Sequence, residues 1–278
     1  MKTNSIKQAV KRYPWMHKPL KAGYSCYNGL KNFLLRRFPY LDYQCTLWGN
    51  KPYYGTFLMA GQILPARKYV MRDMIRRELM QTVRSDFTLL EIGSWAGLST
   101  SIWAQECQHQ SKGTVFCIDT WEASLNVPEI MQKAAKRNRI YKLFQHNMRC
   151  SGYENIVFPI KASSDVMHNI LKPQSFDLIF IDGDHAHTQF KKDLINYMPL
   201  IKDKGIICGD DLEHLPQDID LGFARNHLEE DYIEDASNNQ KYHPGIAVAI
   251  QEVFGSVSMK EGFWAMRKIG PEWHKVAF

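Results

Sequence analysis

Four aspartates, Asp182, Asp184, Asp210 and Asp211, close two short apolar runs, FDLIFIDGDH and GIICGDD. Carboxylates this close together repel, and they stay ionised only when a cation or hydrogen-bond donors neutralise them. Hard oxygen ligands favour magnesium, with calcium or manganese as alternatives, over zinc, which prefers His or Cys. The expected ligands are Asp182, Asp210 and Asp211; Asp184, just ahead of a helix starting near Thr188, has capping as its alternative role. His185 lies three residues beyond Asp182. Its near-neutral pKa suits a general base for a hydroxyl held on the metal, with His187 as the other candidate.

A second set follows another apolar run, LLEIGSWAGLS. Gly93 and Gly97 let a turn pass close under a ligand, and the helix after them offers its N-terminal NH groups. The spacing is GxxxG, with Trp95 where a dinucleotide site needs its second glycine, which argues against NAD. Glu91 in this loop suits a cationic ligand better than a phosphate. Asp119, at the end of TVFCID, is placed to accept hydrogen bonds from ribose hydroxyls.

These residues need a scaffold that brings strand ends together. From about residue 64, where Met71, Ile75, Leu79 and Val83 recur at helical spacing behind Pro65, the pattern is regular. Strands are predicted at 88–93, 114–119, 156–162, 176–182 and 205–211, alternating with helices at 97–109, 128–149, 163–171 and 188–201. Strands alternating with helices imply a parallel sheet covered on both faces, a doubly wound α/β domain. In such sheets ligands bind beyond the carboxyl ends of the strands, where the acids and glycines stand. A helix at 244–254, with Gly255 to stop it, precedes SVSMKEG and FWAMRKI, which read as a hairpin. The polar stretch 212–243 is long for a connection inside a compact domain and reads as a lid or acceptor loop. The expected division is a basic aromatic extension over 1–63 and a catalytic domain over 64–278.

The chain has 278 residues, 45% hydrophobic and 23% charged, which excludes a collagenous, low-complexity or mostly disordered chain. The net charge of +6 is uneven. Nine Lys or Arg and no acid precede Asp42, leaving 26 basic against 29 acidic groups in the rest. A basic arm interleaved with Tyr13, Trp15, Tyr24, Tyr27, Phe33 and Phe38 suits peripheral contact with an anionic membrane face, packing on a second subunit, or steering of an anionic substrate. Nucleic acid is the less favoured partner, and a homo-oligomer is expected. Six cysteines without a CxxC pair read as reduced thiols, and no apolar run is long enough for a membrane span, so a cytoplasmic protein is expected.

Together, LLEIGSWAGLST, VFCIDTWE, FDLIFIDGDHAHTQFKKDLINYMPLIKDKGIICGDDL and HPGIAVAIQEVFG resemble the class I S-adenosylmethionine-dependent methyltransferases. More narrowly, they are similar to the metal-dependent O-methyltransferases related to the macrolide-sugar (mycinamicin, macrocin) enzymes and the cephalosporin hydroxylase-like family. The resemblance implies a Rossmann-like, seven-stranded, mostly parallel sheet with an antiparallel C-terminal hairpin. It implies that Glu91, Gly93 and Gly97 hold the methionine part of S-adenosylmethionine, with Ser94, Trp95 and Ser99 in the same site and Asp182 at its border. Asp119 would bind the ribose, Asp182, Asp210 and Asp211 would bind Mg2+ or another divalent cation, and His185 would be the base. Asp211 stands where relatives carry Glu or Asn, which leaves the metal preference open.

The activity this implies is methyl transfer to a hydroxyl of a sugar, glycan or glycosylated natural product. A catechol-type acceptor comes second, and a catalytically silent interaction module third. A nicotinamide oxidoreductase lacks its glycine motif here, and an aminopropyl transferase has no need of the acidic cluster.

Overall fold

The computed structural model describes residues 38–61, 65–81, 87–122 and 129–278. The basic arm through residue 37 lies outside them. The first described helix, α1 (Pro39–Trp48), buries none of its residues. The chain after it folds back: Tyr53, Leu58 and Ala60 are buried in the same core as the sheet. Helix α2 (Pro65–Gln81) starts on Pro65, as expected of a residue with no NH to satisfy. Met71, Met74, Ile75 and Leu79 make its buried stripe.

Five parallel strands follow in the expected places: β1 (Thr88–Ile92), β2 (Thr114–Asp119), β3 (Val157–Lys161), β4 (Phe176–Ile181) and β5 (Ile201–Gly209). Their side chains alternate between two cores, as period-two geometry demands. Leu89, Cys117, Leu178, Phe180 and Cys208 face one layer with Trp103 and Phe144. Leu90, Ile92, Ile179, Ile181 and Ile207 face the other with Phe190, Ile246 and Trp264. The covering helices are α3 (Leu98–Gln110), α4 (Glu129–Lys136), α5 (Arg139–Ser151), the single turn α6 (Ser164–Met167) and α7 (His187–Tyr197). The helix expected over 128–149 is in fact two, because Asn138 takes a left-handed conformation (φ 55) between them, which Asn tolerates better than most residues.

Beyond β5 the stretch 212–243 builds small elements of its own, the turn α8 (Leu221–Ala224) and the hairpin β6 (Ile233–Asp235) and β7 (Gln240–Tyr242). Ala224, Ile233 and Tyr242 pack on Val248 of α9 (Pro244–Phe254). The expected C-terminal hairpin is β8 (Ser258–Lys260) and β9 (Phe263–Ile269), and β9 pairs antiparallel with β5. One further strand, β10 (Glu272–Lys275), gives eight strands in the sheet where the resemblance implied seven. The order β10-β9-β5-β4-β1-β2-β3 places the topological reversal between β1 and β4. No helix among the described residues is long and apolar enough to cross a membrane.

Candidate active site

The reversal point opens a cavity of about 980 Å3 at the carboxyl ends of β1, β2, β4 and β5. At its floor β1 turns into α3 through Gly93 and Gly97, both at φ 83. A side chain on Gly93 would collide with the backbone carbonyl of Asp182, and one on Gly97 would press on Met148 at 2.7 Å. The turn is tied down by Asp119: one carboxylate oxygen accepts from the NH groups of Ser94 (2.9 Å) and Trp95 (2.8 Å), the other from that of Trp121 (2.5 Å). From the rear, Trp95 Nε1 donates to the carbonyl of Leu58 at 2.9 Å. Asn147 bridges Tyr53 and the carbonyl of Ala96.

Gly93, Ser94, Trp95, Ser99, Asp119, Asp182, His185, Asp210 and Asp211 all line this one cavity. Glu91 and Gly97 do not. Glu91 is fully buried beneath the turn, where its carboxylate accepts hydrogen bonds from Ser94 Oγ, Thr100 Oγ1 and Cys117 Sγ. Burial pushes its pKa up to about 6, and its Oε1 has no partner. Glu91 therefore supports the turn from below, and Gly97 makes room for α5.

Across the cavity stand the strand-end acids. Asp182 follows β4 and is partly exposed, while Asp210, just past β5, is 4% exposed. Asp211 adopts φ 60, which swings its carboxylate back toward the cavity. Desolvation, then repulsion from its neighbours, raises Asp182 far above the usual carboxylate range and Asp210 to about 7. Arg67, from the first turn of α2, reaches both Asp210 and Asp211, with Nη1 2.6 and 2.9 Å from their Oδ1 atoms. Asp182, Asp211 and His185 offer ligand atoms within 4.8 Å of one another, so His185 stands in the compact donor set where Asp210 was expected. Oxygen donors whose ionisation is resisted for want of positive charge fit a divalent cation.

His185 is held from two sides. Its Nδ1 is 2.7 Å from Asp231 and its Nε2 3.3 Å from Asp211. Burial disfavours the imidazolium, but the hydrogen bond to Asp231 and the charges of Asp211 and Asp231 outweigh it and raise the pKa. The His243 ring packs edge-on against His185 at 4.6 Å and pairs with Glu213 at 3.1 Å. His187 faces away and pairs with Glu252 at 2.8 Å. Asp184 accepts from the NH of Ala186 at 2.9 Å, at the entry to α7.

Sequence reasoning missed Arg67, Asp231, Glu213 and His243. Arg67 carried a signal, because it precedes Met71, Met74 and Ile75 at the spacing of the buried face, where a charge needs a partner. The other three sit in or beside a stretch with no periodicity to read.

Residues 90–212 match the family model described as a methyltransferase domain. No curated protein matches the chain. Among solved structures, the chain is similar to the O-methyltransferase from Bacillus cereus in complex with SAH, at 17% identity over 76% of this chain and 74% of that one, with a TM-score of 0.46. It is also similar to the O-methyltransferase TomG from Streptomyces achromogenes, involved in tomaymycin synthesis and complexed with SAM, at 15% identity over 75% and 82% of the two chains, with a TM-score of 0.47. The matched segment contains the glycine turn, Asp119 and the acids that follow β4 and β5. Residues 90–212 therefore carry a methyltransferase domain.

Proposed function

We propose that this enzyme methylates a hydroxyl group with the help of a divalent cation, and that its acceptor is a neutral sugar or glycan. The observation that carries this reading is the meeting, in one cavity, of the β1–α3 turn with Asp182, Asp210, Asp211 and His185. The turn would hold S-adenosylmethionine, which supplies a methyl group on a cationic sulfur. Asp182 and Asp211, the carboxylates of the compact donor set, would hold the cation with Asp210 beside them, and its Lewis acidity would lower the pKa of a bound hydroxyl.

The protein's own part is positioning and proton transfer. His185 receives the hydroxyl proton at Nε2, while Asp231 fixes the opposite nitrogen and with it the tautomer and ring orientation. The aromatic and imidazole rings of Tyr232 and His243, 4.9 Å apart, line the cavity beside His185. Most of the rate gain then comes from alignment in a preorganised site, with no covalent enzyme intermediate.

The charge of the cavity bears on the acceptor. Glu122, Asp184, Glu229 and Asp231 line it in addition to the inner acids, against Arg67 as the one Lys or Arg among the described residues that line it. An acceptor bearing phosphates or carboxylates meets like charge there, whereas a neutral polyol does not. A catechol is the second reading, since two adjacent oxygens are what the acid cluster and a cation would hold. Methylation of an acceptor panel with labelled cofactor, with and without EDTA, tests both. Metal-dependent labelling of a sugar hydroxyl supports the proposal, and labelling unaffected by EDTA removes the cation from it.

The exposed aromatic and apolar side chains of α1 and its approach, Phe38, Tyr40, Leu41 and Trp48, follow the basic arm in the sequence and support contact with an anionic membrane face. Salt-sensitive co-sedimentation with phosphatidylglycerol vesicles is the expected result, and equal sedimentation with neutral vesicles or none contradicts it.

A further inference from the structure

Arg67 lies outside the segment that matches the methyltransferase domain, yet its guanidinium reaches the inner wall of the site. It is 6% exposed. Helix α2 is fixed against the sheet by its buried stripe, by the Arg267–Glu78 pair at 2.6 Å and by the Arg76–Glu106 pair at 3.0 Å. The β8–β9 turn is shaped around the guanidinium. Glu261 and Gly262 both take positive φ, 56 and 82, which is what a two-residue hairpin turn of this hand requires. That turn aims the Glu261 carbonyl at Arg67 Nε, 2.8 Å away, and a side chain on Gly262 would strike the guanidinium. The NH of Leu212 donates to the Gly262 carbonyl at 3.0 Å, which ties the same turn to the segment carrying Asp210 and Asp211.

We propose that Arg67 is a positioning residue that serves as the resident cation of the acidic cluster, keeping Asp210 and Asp211 folded together without metal and moderating the site's hold on a divalent ion. The proposal rests on the metal-assisted reading above. Its ground is charge balance. Once ionised, Asp182, Asp210 and Asp211 together with one guanidinium carry two negative charges, which one divalent ion neutralises. Arg67 engages only the Oδ1 atom of Asp210 and of Asp211, so an oxygen of each remains for the ion. Removing the guanidinium has two opposed effects. The acids lose an anchor, which costs the rotamer freedom of two short side chains, and the ion loses a like charge a few ångströms away in a poorly screened site. The second effect is the larger.

Calorimetric titration of Mg2+ and Mn2+ into the full chain and Arg67→Met, together with melting temperatures in EDTA, tests this. Arg67→Met should melt several degrees lower than the wild type in EDTA, regain most of that loss on adding Mg2+, and bind the ion about tenfold more tightly. Arg67→Lys, which keeps the charge, should stay near the wild-type affinity. If Arg67→Met does not fold, the double variant Arg67→Met/Asp210→Asn, which removes one acid with the cation, should recover the metal-free melting temperature, and a double variant that is as unstable overturns the proposal. Equal or weaker ion binding by Arg67→Met also overturns it while leaving the metal-assisted reading intact. Binding by Arg67→Met alone, or by neither protein, ends that reading and the proposal with it.

Discussion

At the residue scale, the chemistry turns on how acids and imidazoles bias one another. His185 sits between Asp211 and Asp231, and its pKa is raised above the ordinary 6.5. A base must be neutral to act, so turnover should rise with pH through a value above 6.5 and level off beyond it. His185→Ala should remove that limb and lose more turnover at high pH than at low; a variant with the wild-type profile would assign the base elsewhere. Asp231→Asn should lower kcat by about tenfold or more while leaving cofactor affinity within a few-fold, because it acts through the base alone, whose orientation and pKa it sets. Asp182→Ala should abolish metal-dependent turnover and likewise spare cofactor affinity, and full retention of activity would refute the metal assignment.

At the scale of elements, the parallel strands and the glycine turn were legible because doubly buried strands read as unbroken apolar runs and because the acids fall where those runs stop. Asp119, Asp182, Asp210 and Asp211 could be placed on that ground alone, and all four line the cavity. Glu91 could not be placed correctly. Strand alternation puts it on the buried face with Leu89, and only the packing of Thr100 and Cys117 around it shows that it supports the turn from beneath. The stretch 212–243 was opaque because its helix and strands are three or four residues long, too short for any period to register. The break at Asn138 was hidden by apolar residues that keep helical spacing on both sides of it. Gly93 gives the element-scale prediction. Its φ of 83 and the close approach of the Asp182 carbonyl leave no room for a methyl group. Gly93→Ala should cost about 2 kcal/mol or more of stability, or weaken S-adenosylhomocysteine binding by about tenfold, as measured by denaturant unfolding and calorimetry. A variant unchanged in both would contradict the turn geometry.

At the scale of the molecule, the fold concentrates acids whose ionisation it resists. Asp210 is raised to about 7, and Glu91 and Asp193 to about 6, each chiefly by burial. The folded chain therefore binds more protons than the unfolded chain between roughly pH 4 and 7, and its stability falls as pH rises through that window. In EDTA the melting temperature should be higher near pH 5 than near pH 8, and a divalent ion should restore stability at the higher pH. A melting temperature that climbs with pH in EDTA would contradict the charge account. Arg67 belongs to this scale too, since a helix outside the matched segment completes the electrostatics of the site.

The most direct test of the central claim is calorimetric titration of S-adenosylhomocysteine into the purified protein, with Mg2+ present and again after EDTA. Binding in both conditions is predicted, because the β1–α3 turn and Asp119 hold their shape through contacts within the chain. Absence of binding in both would contradict the cofactor assignment and leave the fold as an interaction module.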